Sequence, residues 1–328
     1  MVSARAKPLA AVDLMKLYGK IHFTWNLRTD HLVWNGPINK LFGSDYPLST
    51  GSSFLTRLTT ASFWKRFNEI DAREGNDYTT SYAVTLPNQL ACNITEVATI
   101  IRNEKGLPER LEGSIQVCDD ERHHKQKDFS GYDQLTGFPS REVLLENLSC
   151  LVEQTKGEVA PGGYLVFCID KLSLIYFLYG LKALQNSLLQ VGTTLKKFTR
   201  FNDTIGRVSG CCFGSTLKDI DEWGVFQAAH RLVDACSSIK IKTDIETFSP
   251  TVSVGGSAFR DGILPIEIIR QAEQGLFEMQ NMKGTGITIQ QSEGGKIDAT
   301  RPKTNQAGKR RLADAKNDAK KASSEKTG

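Results

Sequence analysis

Three short clusters in the 328-residue chain carry side chains able to do chemistry. Asp170 closes an apolar run, Tyr164-Leu165-Val166-Phe167-Cys168-Ile169, as an acid often does at the functional edge of a sheet. Ser209-Gly210-Cys211-Cys212 lies between two strand-like runs, 203–208 and 213–217, where a tight hairpin turn would expose whatever chemistry it carries. Just upstream, Arg200-Phe201-Asn202-Asp203 pairs a guanidinium with a carboxylate. A hard divalent cation takes oxygen ligands, so two adjacent thiols at the turn are poor donors for one. Cys211 and Cys212 offer soft-metal or redox chemistry in principle. By itself, Arg200-x-x-Asp203 is a surface ion pair or a helix cap of small energetic weight.

The remaining titratable clusters point to no metal. The seven cysteines, at 92, 118, 150, 168, 211, 212 and 236, form no CxxC pair and keep no regular spacing with histidine, so neither a zinc site nor a disulfide framework is expected. A reducing cytoplasm fits that usage. His123 and His124 are adjacent within Asp-Asp-Glu-Arg-His-His, and neighbours on a helix do not face one another, so this stretch reads as a solvated connector. With 40% apolar and 24% charged residues the composition is that of a soluble globular protein. Residues 291–328 hold ten Lys/Arg against five Asp/Glu, so the net charge of +4 belongs to the tail. The longest apolar run, 172–181, is about half a bilayer span, and no signal-peptide core is present.

The length is enough for about two domains with their own cores. A short helix is expected within 1–18. From Gly19, Ile21, Phe23 and Trp25 alternate, a turn follows at Arg28-Thr29-Asp30-His31, and Leu32-Val33-Trp34 completes a β-hairpin. Helices are expected at 36–42 and 62–71 and strands near 78–85, 92–102 and 110–117. After a charged connector at 121–130, the second half alternates apolar strands, 164–169 and 251–256, with amphipathic helices at 143–152, 188–198 and after the hairpin, as an α/β layer fold requires. From 292 the chain turns polar and basic and is expected to be a disordered tail.

Two resemblances sharpen this outline. Asp133-Gln134-Leu135-Thr136-Gly137-Phe138-Pro139-Ser140-Arg141 is similar to the Asp-x-Leu-Thr-Gly-Leu-x-Asn-Arg opening of GGDEF (diguanylate cyclase) domains, with five of seven specified positions identical. Arg207-Val208-Ser209-Gly210-Cys211-Cys212-Phe213 resembles the signature hairpin Arg-x-Gly-Gly-(Asp/Glu)-Glu-Phe, keeping Arg207, Gly210 and Phe213. The resemblance spans 131–291 and implies a central mixed sheet flanked by helices, of nucleotidyl-cyclase type. It also implies that Asp170 is the first metal-binding aspartate, that Leu172, Leu178 and Ser187 replace metal- and guanine-binding residues, and that Gln280 replaces a phosphate-binding lysine. The catalytic positions Asp170, Ser209, Gly210, Cys211 and Cys212 are therefore expected to be vestigial. Asp133 and Arg207 are expected to form a structural pair.

The family's inhibitory product site is retained. Arg200 and Asp203 match its Arg-x-x-Asp, and Arg231 matches an arginine on the following helix. An arginine fork can bind guanine O6 and N7 and a carboxylate can accept from the guanine N–H edge, so cyclic di-GMP is the expected ligand. GKIHFTWNLRTDHLVWNGPINKLFG and EVATIIRNEKGLPERLEGSIQVCDD resemble the opening and closing segments of a PAS sensor domain, over 19–120, an antiparallel sheet with small helices. The resemblances together imply a cytoplasmic bacterial signalling protein in which a PAS unit of unassigned ligand is joined to a catalytically inactive GGDEF domain reading cyclic di-GMP. They also imply a homodimer and an effector protein, with no cofactor, metal, membrane insertion or specific nucleic acid. The alternatives are a weak diguanylate cyclase and a nucleotide-free interaction scaffold. No EAL phosphodiesterase segment follows, so degradation of the dinucleotide is not expected of this sequence.

Overall fold

A computed structural model describes residues 19–43, 48–87, 90–118, 131–154, 161–259, 263–281, 286–291 and 296–300. The expected N-terminal helix, the connector and the distal tail lie outside these residues.

The N-terminal unit is a five-stranded antiparallel sheet of β1 (Lys20–Asn26), β2 (Leu32–Asn35), β3 (Asp77–Thr85), β4 (Ala91–Arg102) and β5 (Pro108–Val117), in the order β2-β1-β5-β4-β3. Alternation drives β1: Ile21, Phe23 and Trp25 are buried, while Lys20, His22 and Thr24 face out. Three helices, Ile38–Phe42, Gly51–Leu55 and Thr60–Asp71, separate the first two strands from the last three. The middle one, absent from the sequence reading, starts with a capping box in which Thr50 and Ser53 satisfy each other's backbone N–H. Thr59 caps the longer helix by accepting from the Ser62 N–H.

The core of this unit holds a charge. Arg66, fully buried, donates from Nε and Nη2 to Glu96 at 2.7 and 2.8 Å, and the Tyr78 and Tyr82 hydroxyls donate to the same carboxylate at 2.7 and 2.5 Å. Burial alone would raise the Glu96 carboxyl, yet Arg66 and the two phenols hold it below the usual range.

The C-terminal unit is a six-stranded mixed sheet of β6 (Gly162–Ile169), β7 (Thr204–Arg207), β8 (Cys212–Leu217), β11 (Val252–Phe259), β12 (Gly286–Gln291) and β13 (Lys296–Thr300), ordered β13-β12-β11-β6-β8-β7. Only β11 and β12 run parallel among these neighbours. β6 is buried along its whole length, which explains its unbroken apolar sequence. Helices Arg141–Gln154, Leu172–Phe198, Glu222–Ser237 and Pro265–Asn281 pack around the sheet, and a two-stranded ribbon, β9 (Ile241–Lys242) and β10 (Thr247–Phe248), lies beside them. Gly180, at φ +81°, breaks the long helix into two. One expectation is corrected here: the tail does not begin at 292, because 296–300 pairs antiparallel with β12. The short alternation Lys296-Ile297-Asp298-Ala299-Thr300 is strand-like in pattern but was masked by its polar surroundings.

The two units touch. The segment 49–73 of the first lies against the end of β6, the β7–β8 hairpin and the helix Pro265–Asn281 of the second. Lys171 N–H donates to Ser52 Oγ at 2.9 Å, Tyr176 Oη donates to Asp71 at 3.1 Å, and the Phe67 and Tyr176 rings meet edge-on at 4.9 Å. Arg57 lies over the Phe277 ring at 4.5 Å and 3.7 Å from Glu273.

Candidate functional site

Asp170 follows β6 directly, held there because its N–H donates to Thr251 O and its Oδ1 accepts from Ser253 Oγ at 2.8 Å. Desolvation raises its carboxyl to about 6, and the hydrogen bonds from Ser253 and Thr251 offset part of that rise. Lys171, the next residue, adopts the left-handed region (φ +52°) and turns the chain into the helix.

The hairpin tip does not present its chemistry to solvent, contrary to expectation. Ser209, Cys211 and Cys212 are all buried, and Gly210 N–H donates to Leu58 O at 3.2 Å across the interface. A Cβ at Gly210 would fall 2.0 Å from Phe63 Cβ. The sequence could not reveal this, because the covering residues lie about 150 positions upstream in the other unit.

Arg207 Nε stands 4.0 Å from Asp133 Oδ1, both groups buried. That separation is an ion pair rather than a hydrogen bond. Asp133 Oδ1 instead closes its own turn by accepting from the Thr136 N–H at 2.9 Å and the Thr136 hydroxyl at 2.5 Å. Arg207 also covers the Phe213 ring at 4.8 Å and donates to Gly210 O.

The second candidate site lies at the opposite end of β7. Arg200 is exposed, and Asp203 Oδ1 accepts from Lys218 N–H at 3.1 Å. Partial burial raises the Asp203 carboxyl, while the Lys218 N–H and the charges of Arg200 and Arg231 pull it down, so both guanidiniums act on one carboxylate. Arg231, exposed on the helix Glu222–Ser237, donates to Phe198 O at 3.4 Å. It lines an open groove of about 690 Å³ with Phe198, Phe226 and His230. Arg200, Asp203 and Arg231 thus meet at one edge, beside aromatic rings that the sequence reading had not singled out. Their signal was a Phe198, Phe226, His230 grouping split between two helices.

Residues 130–285 match the family described as diguanylate cyclase, GGDEF domain. This stretch is a GGDEF domain. Curated proteins yield no match to the chain. Among solved structures, similar ones include the diguanylate cyclase SiaD from Pseudomonas aeruginosa in complex with its activator SiaC (23% identity, TM-score 0.44, 46% of this chain). Others are the GGDEF domain of DgcB from Caulobacter crescentus in complex with c-di-GMP (16%, TM-score 0.47, 49% of this chain and 95% of that one) and the FimX GGDEF domain from Pseudomonas aeruginosa (16%, TM-score 0.46, 49% and 99%). The matched part of the chain spans 58% of the SiaD chain.

In this GGDEF domain the donors do not fit a magnesium centre. Among the described residues, Asp170 Oδ2 is a buried carboxylate oxygen without a hydrogen-bond partner, but the hairpin positions that would join it hold Ser209, Cys211 and Cys212. Mg²⁺ requires several oxygen ligands and dehydrates reluctantly, and thiols are poor substitutes. Ser187 donates to Ala183 O at 2.8 Å within its own helix, and the Leu178 side chain offers no hydrogen bond at all. Gln280 is buried. The covered face therefore holds Asp170, the Cys211 and Cys212 thiols and the Arg207–Asp133 pair beneath the N-terminal unit.

Proposed function

We propose that this chain is a signalling module in which a catalytically inactive GGDEF domain binds cyclic di-GMP through Arg200, Asp203 and Arg231 and couples that occupancy to the N-terminal unit, a PAS-type sensor. The observation that carries the reading is the division of the GGDEF domain into a covered and an open face. The face bearing Asp170 and the hairpin packs against the N-terminal unit, while the edge bearing Arg200 and Arg231 stays open.

The chemistry of the open edge suits a guanine dinucleotide. Two exposed guanidiniums give fork hydrogen bonds to guanine O6 and N7, Asp203 accepts from the N1–H and N2–H edge, and both cations neutralise phosphate. Phe198 and Phe226, which line the groove with Arg231, supply π-faces on which purines stack, each worth about 1–3 kcal/mol. The element order of the N-terminal unit, two strands, three short helices and three strands in the order β2-β1-β5-β4-β3, supports the PAS assignment. Its ligand is left open. A cytoplasmic location, a homodimer and an effector protein belong to the same proposal, and no helix among the described residues is long and apolar enough to cross a membrane.

Calorimetric titration of the purified chain with cyclic di-GMP, beside Arg200→Ala, tests the reading. Micromolar or tighter binding that is lost in the variant is expected. Absence of binding refutes the receptor, and production of cyclic di-GMP from GTP and Mg²⁺, abolished in Asp170→Ala, replaces it with a cyclase.

A further inference from the structure

Sequence spacing gave two adjacent cysteines at the hairpin; the fold adds a third. β6 pairs antiparallel with β8 so that Cys168 stands directly opposite Cys212, and Cys211, one residue before β8, accepts the Ile169 N–H through its carbonyl at 3.3 Å. Cys168 Sγ lies 3.5 Å from Cys211 Sγ, Cys211 Sγ lies 3.6 Å from Cys212 Sγ, and all three sulfurs fall within 4.8 Å of one another. Each of the three residues is at most 1% exposed.

Those separations match a shared cation better than a disulfide. Sulfurs about 2.3 Å from a common metal sit about 3.8 Å apart in tetrahedral and about 4.0 Å apart in trigonal geometry. A disulfide needs sulfurs at about 2.05 Å, so any pair here would have to close by roughly 1.5 Å.

A second observation is independent of the sulfurs. Arg207, 1% exposed, has Nε and Nη1 without a hydrogen-bond partner among the described residues, and its charge interacts with all three thiols. Asp133, 4.0 Å from Nε, is one anion beside it but accepts no hydrogen bond from it; idle N–H groups on a buried guanidinium are costly, and a thiolate cluster would supply a second anion for them. There is also a way in: Ser209, Cys212 and Arg207 line a cavity of about 760 Å³ between the two units.

We propose that Cys168, Cys211 and Cys212 form a three-thiolate site for a soft, thiophilic cation of the Zn(II) or Cu(I) class. Binding exchanges three S–H protons for three metal–sulfur bonds, with no change in oxidation state, and the protons leave to solvent. Cu(I) is satisfied by the three sulfurs, whereas Zn(II) takes a fourth ligand, a water from the cavity. The site replaces hard-cation chemistry at the hairpin by soft-cation chemistry, and it is independent of dinucleotide binding at the far edge.

The test uses the full chain, reduced and kept anaerobic, titrated with Zn(II) and separately with Cu(I) against a chromophoric competing chelator, with X-ray absorption spectroscopy of the loaded wild type. Expected are one equivalent bound, release of up to three protons per metal, and three sulfur neighbours at about 2.3 Å. Affinity should fall about tenfold or more in Cys168→Ser, Cys211→Ser and Cys212→Ser, with Cys236→Ser, buried elsewhere, unchanged. Fewer than three sulfurs in the wild-type spectrum, no stoichiometric binding of either ion, or equal affinity in all four variants overturns the proposal. The sulfur count is read on the wild type and so holds whether or not a variant folds.

Discussion

Replacing Gly210 by alanine separates the hairpin's own needs from those of the interface. Gly210 is not among the residues at positive φ, so its backbone accepts an L side chain and any cost must come from what the new methyl meets. It would meet Phe63, at 2.0 Å from Cβ, 2.1 Å from Cγ and 2.4 Å from Cδ2. Those atoms cannot swing away as the tip of a long side chain can, because Cβ is fixed to the helix Thr60–Asp71 and the ring is fully buried against Phe67 and Trp64. The helix must shift or the hairpin must leave it, and overpacking of this kind costs about 1–3 kcal/mol. Urea denaturation of the full chain should show that loss for Gly210→Ala, together with faster amide hydrogen exchange over 208–212. In a Phe63→Gly background, which removes Cβ as well as the ring, the same substitution should cost less, giving a coupling of about 0.5–3 kcal/mol for residues in contact. A change within about 0.5 kcal/mol for Gly210→Ala, with unaltered exchange in the hairpin, would refute the packing of the N-terminal unit on this face.

Two further substitutions probe buried charges. Asp170 has a carboxyl raised to about 6 by desolvation, above its unfolded value, so its contribution is fully present below about pH 4 and is lost as pH rises through 6. Two units correspond to about 3 kcal/mol at most, and partial exposure discounts this to about 1–2 kcal/mol. Asp170→Asn should therefore gain stability relative to wild type between about pH 4 and 6.5 in urea melts, and parallel pH profiles across that interval would contradict the burial. Glu96→Gln leaves Arg66 charged and uncompensated in the core of the N-terminal unit, which should cost about 3–5 kcal/mol. A loss below about 1 kcal/mol by chemical denaturation would show that the pair is not sealed from water.

What the sequence discloses is local, and what it hides is long-range. The Asp133-x-Leu135-Thr136-Gly137 turn is readable because its hydrogen bonds join residues three apart, and β1 because alternation is a neighbour rule. Arg200, Asp203 and Arg231 are readable as a group only through the resemblance, since 28 positions separate Asp203 from Arg231. Cys168 joins Cys211 and Cys212 through strand register, which no spacing rule encodes. Leu58, Phe63 and Gly210 meet because two units pack together, and each alone looks like an ordinary core or turn residue. The Arg66–Glu96 pair is equally silent, since a charged residue on an amphipathic helix ordinarily faces water.

Hydrogen exchange on the full chain with and without cyclic di-GMP reads both faces of the GGDEF domain in one experiment. The account predicts new protection over 198–204 and 227–235 on ligand addition, and a hairpin at 208–213 that is slow to exchange in both states. Protection gained at the hairpin, or none gained around Arg200 and Arg231, would contradict it.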